Sequence, residues 1–311
     1  MPKISLIIPT QRRPGGLSRA VHSVFGQEGV DFSDLELVIV DNDQVPSAEP
    51  IAGALAEAAP FPVIYEHEPR AGVSNARNAA MARASGELIV FLDDDEEAPS
   101  TWLAALLAAQ ARLGVDAVFG PVRARAPDYV RRHRPYLERF FSRLGPASEQ
   151  PIEHHYGCGD SIVRRAAMPH PTAPFSAIRN EIGGEDDLMF DQMKAKGARF
   201  GWAPDAWVWE DPVPERLTLG YTIPRAFAYG QGPSAACASA SPPNRVGIAR
   251  WMAIGVVQAM VFGALAVAKW LVFASDRAEA LDRAARGLGK ALWWGPFKIQ
   301  FYGRTAAGAA A

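Results

Sequence analysis

Cysteine is scarce in this sequence, and neither sign of charge is in large excess. Two cysteines, Cys158 and Cys237, occur in 311 residues, which excludes a disulfide framework and is typical of a reducing compartment. The formal net charge is −2, which argues against nucleic acid as the main partner. The six histidines are scattered without the spacing of a zinc site. No internal repeat is visible, and because an apolar run begins at Ile4, we expect no signal peptide.

Hydrophobic residues are abundant, and their spacing predicts a layered α/β fold. They make up 49% of the chain against 21% charged residues, so disorder is excluded and a substantial core is expected. Short apolar runs alternate with helical segments over roughly the first 120 residues. The expected strands are Ile4–Ile8, Leu35–Val40, Pro62–Tyr65, Leu88–Leu92 and Ala117–Phe119. This alternation predicts a doubly wound, mostly parallel, Rossmann-like sheet.

Carboxylates follow two of these strands. Asp41 ends the second strand, and Asp93, Asp94 and Asp95 end the fourth. Ligands of open α/β sheets bind at the carboxyl ends of parallel strands, so these acids should share one rim. Adjacent carboxylates repel one another unless a cation or strong donors hold them. Mg²⁺ or Mn²⁺ bridging substrate phosphates suits such oxygen ligands, and a solvated acidic turn is the alternative.

Two glycine-rich segments with acids follow further along the chain. Gly157 and Gly159 precede a short apolar strand, where glycine lets the backbone approach a ligand closely. Glu185, Asp186 and Asp187 begin a helix that should run to about residue 196. Simple stabilisation of the helix dipole is the alternative for these acids. A basic, aromatic stretch at 128–144 is interpreted as a solvated helix face, or as a contact for an anionic lipid or acceptor.

Taken in order, these segments resemble the family 2 glycosyltransferases, which have the GT-A fold. The resemblance covers about residues 3–230 and rests on six motifs. They are Ser5-Leu6-Ile7-Ile8-Pro9-Thr10, Val38-Ile39-Val40-Asp41-Asn42, Gly72-Val73-Ser74-Asn75-Ala76-Arg77-Asn78, Phe91-Leu92-Asp93-Asp94-Asp95, Gly120-Pro121-Val122 and Gly183-Gly184-Glu185-Asp186. Each motif is a weak signal alone, but all six occur here in the order that the family has, which makes the set specific.

The resemblance implies a nucleotide-diphospho-sugar donor, with UDP as the expected nucleotide. Eight residues are expected to bind it: Pro9, Thr10, Arg12, Asp41, Gly72, Arg77, Asp93 and Asp94. In the family, the residue at Asp41 hydrogen-bonds the base, and the chain at Gly72 passes close to the nucleotide. An ion pair between Arg77 and a rim carboxylate is an alternative that is compatible with this role.

Asp93 and Asp95 match the family's Asp-x-Asp motif. The resemblance implies that they hold Mn²⁺ or Mg²⁺ on the diphosphate. A divalent cation there would stabilise the charge that the leaving nucleoside diphosphate gains. Asp94 could instead point away and cap local backbone.

The resemblance also implies an inverting, hexosyltransferase-type reaction with one catalytic base. Asp186 matches the base, which takes the acceptor hydroxyl's proton. Glu185 would orient Asp186 or bind acceptor hydroxyls, and Asp187 is the second candidate for the base.

The sequence departs from the family pattern at three places. Asp160 replaces an Asn that commonly follows Gly-x-Gly near the sugar, so donor or acceptor choice could differ. Glu210 and Asp211 stand where many members carry a His, which leaves a third metal ligand open. No Gln-x-x-Arg-Trp of the processive synthases occurs, which favours one sugar added per encounter.

The C-terminal part has a different character. A helix at Glu215–Tyr229, ended by Gly230, would close a catalytic domain at 1–230. A linker at 231–244 and a helical segment at 245–311 would follow. Trp251–Phe273 is 23 mostly apolar residues, long enough to cross a bilayer. Amphipathic residues reaching to 301 could lie in the interface, and a soluble helical hairpin is the alternative.

These features predict a metal-dependent glycosyltransferase acting on a glycan or lipid-linked acceptor in cell-envelope polysaccharide or glycolipid synthesis. We expect membrane association through 251–301, on the cytoplasmic face of the inner membrane, with a soluble cytoplasmic protein as the alternative. No nucleic-acid partner is expected. A sugar nucleotidyltransferase and an inactive membrane-bound scaffold remain the competing functions.

Overall fold

The computed structural model describes residues 3–180 and 183–299, which form two compact units. The sheet unit comprises residues 3–123, 142–180 and 183–211, and the helical unit comprises residues 124–141 and 212–299. The division expected from sequence, at 230 and 244, stays a prediction. Residues 300–311 of its last segment lie outside the described residues.

Eleven strands are found in the described residues, in two sheets. They are β1 Ile4–Thr10, β2 Leu35–Asp41, β3 Val63–His67, β4 Leu88–Phe91, β5 Glu96–Glu97, β6 Ala117–Phe119, β7 Val122–Ala124, β8 Gln150–Ile152, β9 Ser161–Arg164, β10 Phe200–Trp202 and β11 Val208–Glu210. The main sheet has the order β3-β2-β1-β4-β9-β6-β10-β8, and β5-β11-β7 form a small second sheet. The five strands expected from sequence are therefore confirmed.

The central strands are parallel, as expected. β1 pairs in parallel with both β2 and β4, and Thr10 lies opposite Asp41 in this register. β9 departs from the pattern because it inserts antiparallel between β4 and β6. The carboxyl ends of β1, β2 and β4 consequently meet at one rim, the position at which α/β sheets bind ligands.

Alternating side chains of β1 enter two separate core layers. Leu6 and Ile8 pack with Leu17 on one face, and Ile7 packs with Met81 on the other. All five side chains are fully buried. The period of two in a strand thus explains why the apolar run is continuous, since both faces of the sheet are covered.

Nine α-helices are found in the described residues. They are α1 Pro14–Phe25, α2 Glu49–Ala58, α3 Val73–Arg83, α4 Trp102–Leu113, α5 Arg134–Phe141, α6 Glu185–Ala195, α7 Leu219–Ser239, α8 Arg245–Leu271 and α9 Arg277–Ala291. Helices α5, α7, α8 and α9 belong to the helical unit.

The expectation that Gly230 ends a helix is wrong. Helix α7 continues through it to Ser239, so much of the predicted linker is helical. A Cβ atom on Gly230 would lie 2.2 Å from the carbonyl oxygen of Arg286 in α9. The glycine therefore permits close helix packing and does not mark a terminus.

Helix α8 passes the length and composition criteria for a membrane span. It contains 27 residues, its most apolar window has a mean hydropathy of 2.0, and 11% of that window is buried. A buried core helix would be covered by protein, whereas most of this apolar window is exposed.

Candidate active site

A cleft of about 300 Å³ opens at the carboxyl ends of the central strands. Its walls come from the ends of β1 and β4, the segment after β2 and the first turns of α3. The lining residues are Pro9, Thr10, Gln11, Arg13, Asn42, Gly72, Val73, Ala76, Arg77, Asp93, Asp94 and Asp95. The structure thus brings together most of the residues expected to bind a donor.

Arg13 is a cleft residue that the sequence interpretation missed. Its Nη1 donates to Asp95 Oδ2 at 2.6 Å and to Asp94 Oδ1 at 3.0 Å. Thr10 Oγ1 donates to the second oxygen of Asp94 at 2.7 Å. Burial raises the pKa of Asp94 to about 6, although the Thr10 bond and the Arg13 charge oppose this. Asp94 therefore ties the ends of β1 and β4 together and still lines the cleft.

Arg12, which is expected to bind the donor, lies outside the cleft lining, and its contact with a donor stays a prediction. Its backbone has a φ of 57°, in the left-handed region. Its guanidinium forms an ion pair with Asp43 at 2.7 Å, and 69% of its side chain is exposed. The turn at Arg12 directs the neighbouring Arg13 into the cleft. The sequence alone does not show which of the two adjacent arginines lines the cleft.

Asp41 is likewise absent from the cleft lining. It is fully buried, and its carboxylate accepts hydrogen bonds from Ala48 N at 2.6 Å, Asp43 N at 3.1 Å and Tyr65 OH at 3.1 Å. These bonds occupy both oxygens in holding the loop after β2. Direct contact with a nucleotide base stays a prediction, and this geometry gives Asp41 a structural role.

Asn42 and Gly72 shape the wall beside Asp41. Asn42 Oδ1 accepts from Gly72 N at 2.9 Å, and its Nδ2 donates to the carbonyls of Glu68 and Arg70 at 2.8 Å. Gly72 has a φ of 129°, and a Cβ there would lie 2.3 Å from Asn180 Oδ1. Only glycine suits this position, which brings the chain close to the cleft. That the chain passes close to a nucleotide here stays a prediction.

Arg77 joins two acidic groups that are far apart in sequence. Its Nη1 donates to Glu185 Oε1 at 2.6 Å, and its Nη2 donates to Asp93 Oδ1 at 3.3 Å. The Arg77 side chain is 6% exposed, so the guanidinium is almost fully desolvated. The expected ion pair with a rim carboxylate is confirmed. Burial raises the pKa of Glu185, and the Arg77 charge opposes that shift.

Asp186 and Asp187 begin α6 in different environments. Asp186 is half-buried, and its oxygens accept from Cys158 N at 3.3 Å and Asp187 N at 2.9 Å. The Asp187 side chain is 68% exposed, with His155 at 3.8 Å. Partial desolvation of its carboxyl and the Asp186 charge raise the pKa of Asp187, with His155 opposing. Asp186 therefore faces the glycine-rich segment, and Asp187 faces solvent.

The glycine-rich segment passes beside both carboxylate groups. A Cβ on Gly157 would lie 3.0 Å from Asp186 Oδ2, and one on Gly159 would lie 2.7 Å from Asp93 Oδ2. Arg143 Nη2 donates to the Gly159 carbonyl, and its Nη1 donates to that of Gly157 at 3.4 Å. Arg143 thus supports this segment, so the solvated-face interpretation of the basic stretch is wrong at this residue.

Asp160 does not face the cleft, although the sequence placed its loop near the sugar. It is fully buried, and Trp102 Nε1 donates to its Oδ1 at 2.7 Å. Its Oδ2 has no hydrogen-bond partner among the described residues. Burial raises the pKa of Asp160 to about 7, against the opposing effects of Arg143 and Trp102.

The carboxylates fit a divalent cation only with help from a substrate. Asp93 and Asp95 side chains are 35% and 24% exposed and offer hard oxygen donors. No three His, Cys, Asp or Glu side chains in the described part of the chain are arranged to hold an ion. Asp211, near the family's His position, donates its backbone N–H to the Asp95 carbonyl at 2.9 Å. Phosphate oxygens would therefore have to complete the coordination.

Together, the mostly parallel sheet and its acidic rim define a glycosyltransferase of the GT-A fold. Residues 5–170 match the family model described as "Glycosyl transferase family 2". The chain belongs to this family.

Two curated relatives are bacterial. The chain is 34% identical over 233 residues to "Succinoglycan biosynthesis protein ExoM" of Rhizobium meliloti, an alignment that covers 73% of each chain. It is 32% identical over 121 residues to "GalNAc(5)-diNAcBac-PP-undecaprenol beta-1,3-glucosyltransferase" of Campylobacter jejuni. That match covers 39% of this chain and 38% of the relative.

Solved structures share the fold at low identity. The mannosyltransferase PcManGT from Pyrobaculum calidifontis, in complex with GDP-Man and Mn²⁺, superposes with a TM-score of 0.58 and 21% identity. This match covers 94% of this chain and 87% of that one. S. aureus TarS 1–349 in complex with UDP-GlcNAc gives a TM-score of 0.51 and 17% identity, over 79% and 69% of the chains.

Proposed function

We propose that the protein transfers a hexosyl group, with inversion, from a nucleotide-diphospho-sugar to a hydroxyl of a glycan or lipid-linked acceptor. The observation that carries this proposal is the contact of Arg77 with both Asp93 and Glu185. This guanidinium ties the donor-side acids after β4 to the acceptor-side acids of α6. The acids after β4 would hold the leaving group, and Asp186, next to Glu185 in α6, would accept the proton on the acceptor side, which suits a single displacement.

The donor side would bind the nucleoside diphosphate. Asp93 and Asp95 would hold Mn²⁺ or Mg²⁺, which supplies charge stabilisation for the departing diphosphate. Arg13, whose Nη1 lies 2.6 Å from Asp95 Oδ2, must release Asp95 or share it when the ion binds. The family resemblance and the UDP-GlcNAc bound to TarS support UDP, while the GDP-Man bound to PcManGT supports a GDP alternative.

Asp186 would act as the base on the acceptor side. It would take the proton of the acceptor hydroxyl while that oxygen bonds to the anomeric carbon and the carbon–oxygen bond to the diphosphate breaks. Buried Glu185 is held by Arg77, so it would position the start of α6 and leave Asp186 as the base. The proton is then held by the Asp186 carboxyl, and the electron pair of the broken carbon–oxygen bond stays with the departing diphosphate.

The acceptor class is proposed from relatives. A succinoglycan biosynthesis protein and an undecaprenol-diphosphate-glycan glucosyltransferase are among them. We therefore propose a role in cell-envelope polysaccharide or glycolipid synthesis, at the cytoplasmic face of the membrane.

Incubation of the full chain with a panel of nucleotide sugars, Mn²⁺ and lipid-linked glycan acceptors tests this function. Release of a nucleoside diphosphate with a β-linked product from an α-linked donor is expected. Pyrophosphate release from a nucleoside triphosphate would instead identify a nucleotidyltransferase. If the chain bound no nucleotide, and the Asp95→Ala variant left cellular glycan unchanged, the protein would be a scaffold.

A further inference from the structure

One face of α8 presents apolar side chains to solvent along most of its length. Its exposed large side chains are Val246, Ile254, Val256, Val257, Met260, Val261, Leu265, Val267 and Leu271. At 100° per residue they fall on one half of the helix. We call this set the free face.

The polar side chains of the apolar segment point away from the free face. Gln258 Nε2 donates to the carbonyl of Arg283 in α9 at 2.8 Å. Lys269 pairs with Asp276, just before α9. The free face between residues 253 and 271 consequently carries only aliphatic, methionine and alanine side chains.

The opposite face of α8 is packed tightly on α9. A Cβ on Gly255 would lie 2.6 Å from the Gly287 carbonyl oxygen, and one on Gly287 would lie 2.6 Å from Ala259 N. At the other end of the hairpin, the Arg277 guanidinium lies 4.9 Å from the Trp270 ring centroid. The two antiparallel helices are therefore in contact over most of the apolar segment.

This packing argues against a membrane-crossing α8. With 27 residues, the helix is about 40 Å long and could cross a bilayer by length alone. However, Lys290 Nζ donates to Gln258 Oε1 at 3.0 Å, and the Arg283 guanidinium lies 5.2 Å from the Phe262 ring centroid. Both α9 cations lie beside the middle of α8, so a crossing would place them at the depth of the hydrocarbon, where charge is strongly unfavourable.

We propose that the free face of α8 docks in the plane of an anionic lipid bilayer, with α9 held on its water side. An amphipathic surface of this kind binds at the headgroup–acyl boundary. Residues 245–299 contain eight Lys and Arg residues and three Asp and Glu residues, although the formal net charge of the whole chain is −2. This local excess of positive charge complements anionic headgroups.

The chemistry of the free face favours lipid over a protein partner. Protein interfaces carry about ten hydrogen bonds and are enriched in aromatic and Arg side chains. The free face offers no side-chain donor or acceptor between residues 253 and 271. This inference is independent of the proposed transferase activity, since it concerns how the helical unit meets a membrane.

Co-sedimentation of the full chain with vesicles tests the docking. Binding to phosphatidylglycerol-containing vesicles is expected to exceed binding to pure phosphatidylcholine by about tenfold. The double variant Val257→Glu/Val261→Glu, at exposed positions, should abolish it while far-UV circular dichroism stays unchanged. Val45→Glu, at a 62% exposed site in the sheet unit, is the matched control and should bind normally.

Depth measurements separate in-plane docking from crossing. Fluorophores on cysteines introduced at Val246, Val257 and Val267 would be quenched by brominated lipids, in a Cys237→Ser background. In-plane docking places all three at a similar shallow depth of about 5–10 Å. A label at position 257 that lies deep in the bilayer, with shallow labels at positions 246 and 267, would overturn the proposal. The proposal would also be overturned if the protein did not bind vesicles but formed a dimer that the double glutamate variant dissociates, since the free face would then be a contact between two copies of the chain.

Discussion

Arg77 Nη1 lies 2.6 Å from Glu185 Oε1, and both side chains are less than one-tenth exposed. A buried ion pair of this kind contributes most through what its loss leaves behind, since one uncompensated charge would stay in the interior. Arg77 also reaches Asp93, so the pair couples the fold of α6 to the acidic turn after β4.

Arg77→Met is expected to destabilise the protein by about 3–5 kcal/mol, because Glu185 and Asp93 lose their counter-ion. Urea denaturation followed by circular dichroism measures this change. The double variant Arg77→Met/Glu185→Met should recover much of the loss, since the strongest unpaired charge is removed. Equal destabilisation in the single and double variants would contradict a direct coupling between these residues.

Asp186→Asn is expected to lower kcat by about 10²–10⁴-fold, because it removes the proposed proton acceptor without removing volume. Binding of the nucleoside diphosphate, followed by calorimetry, should stay within about twofold, as the donor side is untouched. Asp187→Asn is the matched control, since its side chain is 68% exposed. If Asp187→Asn carried the larger loss in kcat, the two roles would be exchanged.

Arg13→Gln is expected to raise the affinity for Mn²⁺ of the protein saturated with nucleoside diphosphate by about tenfold, equivalent to about 1.4 kcal/mol. The reason is that the Arg13 guanidinium competes with a metal ion for Asp95. Mn²⁺ titration followed by electron paramagnetic resonance gives the affinity without any turnover. Arg12→Gln removes the same charge from an exposed pair with Asp43 outside the cleft lining, and should change nothing. Weaker Mn²⁺ binding in Arg13→Gln would exclude the competition.

Much of the site could be predicted because its positions follow from strand geometry. A run such as Leu88–Leu92 has few alternatives to a buried strand, and acids after parallel strands must share a rim. Arg13 was missed because the left-handed turn at Arg12 decides which arginine enters the cleft, and sequence spacing does not show that turn.

Tertiary contacts explain the other differences. Glycine is typical of a helix terminus, but Gly230 lies inside α7, where it contacts the backbone of α9. The antiparallel insertion of β9 depends on pairing across the sheet with β4 and β6, which no local pattern encodes. Asp160 illustrates the same limit, since its burial beneath Trp102 follows from packing and not from its position after Gly159.

Asp160→Asn is expected to stabilise the protein at alkaline pH. Burial raises the Asp160 pKa to about 7 in the folded state, against 3.8 for the ordinary carboxyl. The folded state therefore binds this proton more tightly, and the contribution of Asp160 to wild-type stability should fall as pH rises from about 4 to about 7. Asn cannot ionise and can still accept from Trp102 Nε1, so the variant should lack this decline and gain about 2–4 kcal/mol at pH 8. Urea unfolding at intervals from pH 4 to pH 8 measures the difference, with the exposed Glu153→Gln as control. A gain that is constant across this range would show that Asp160 does not titrate there.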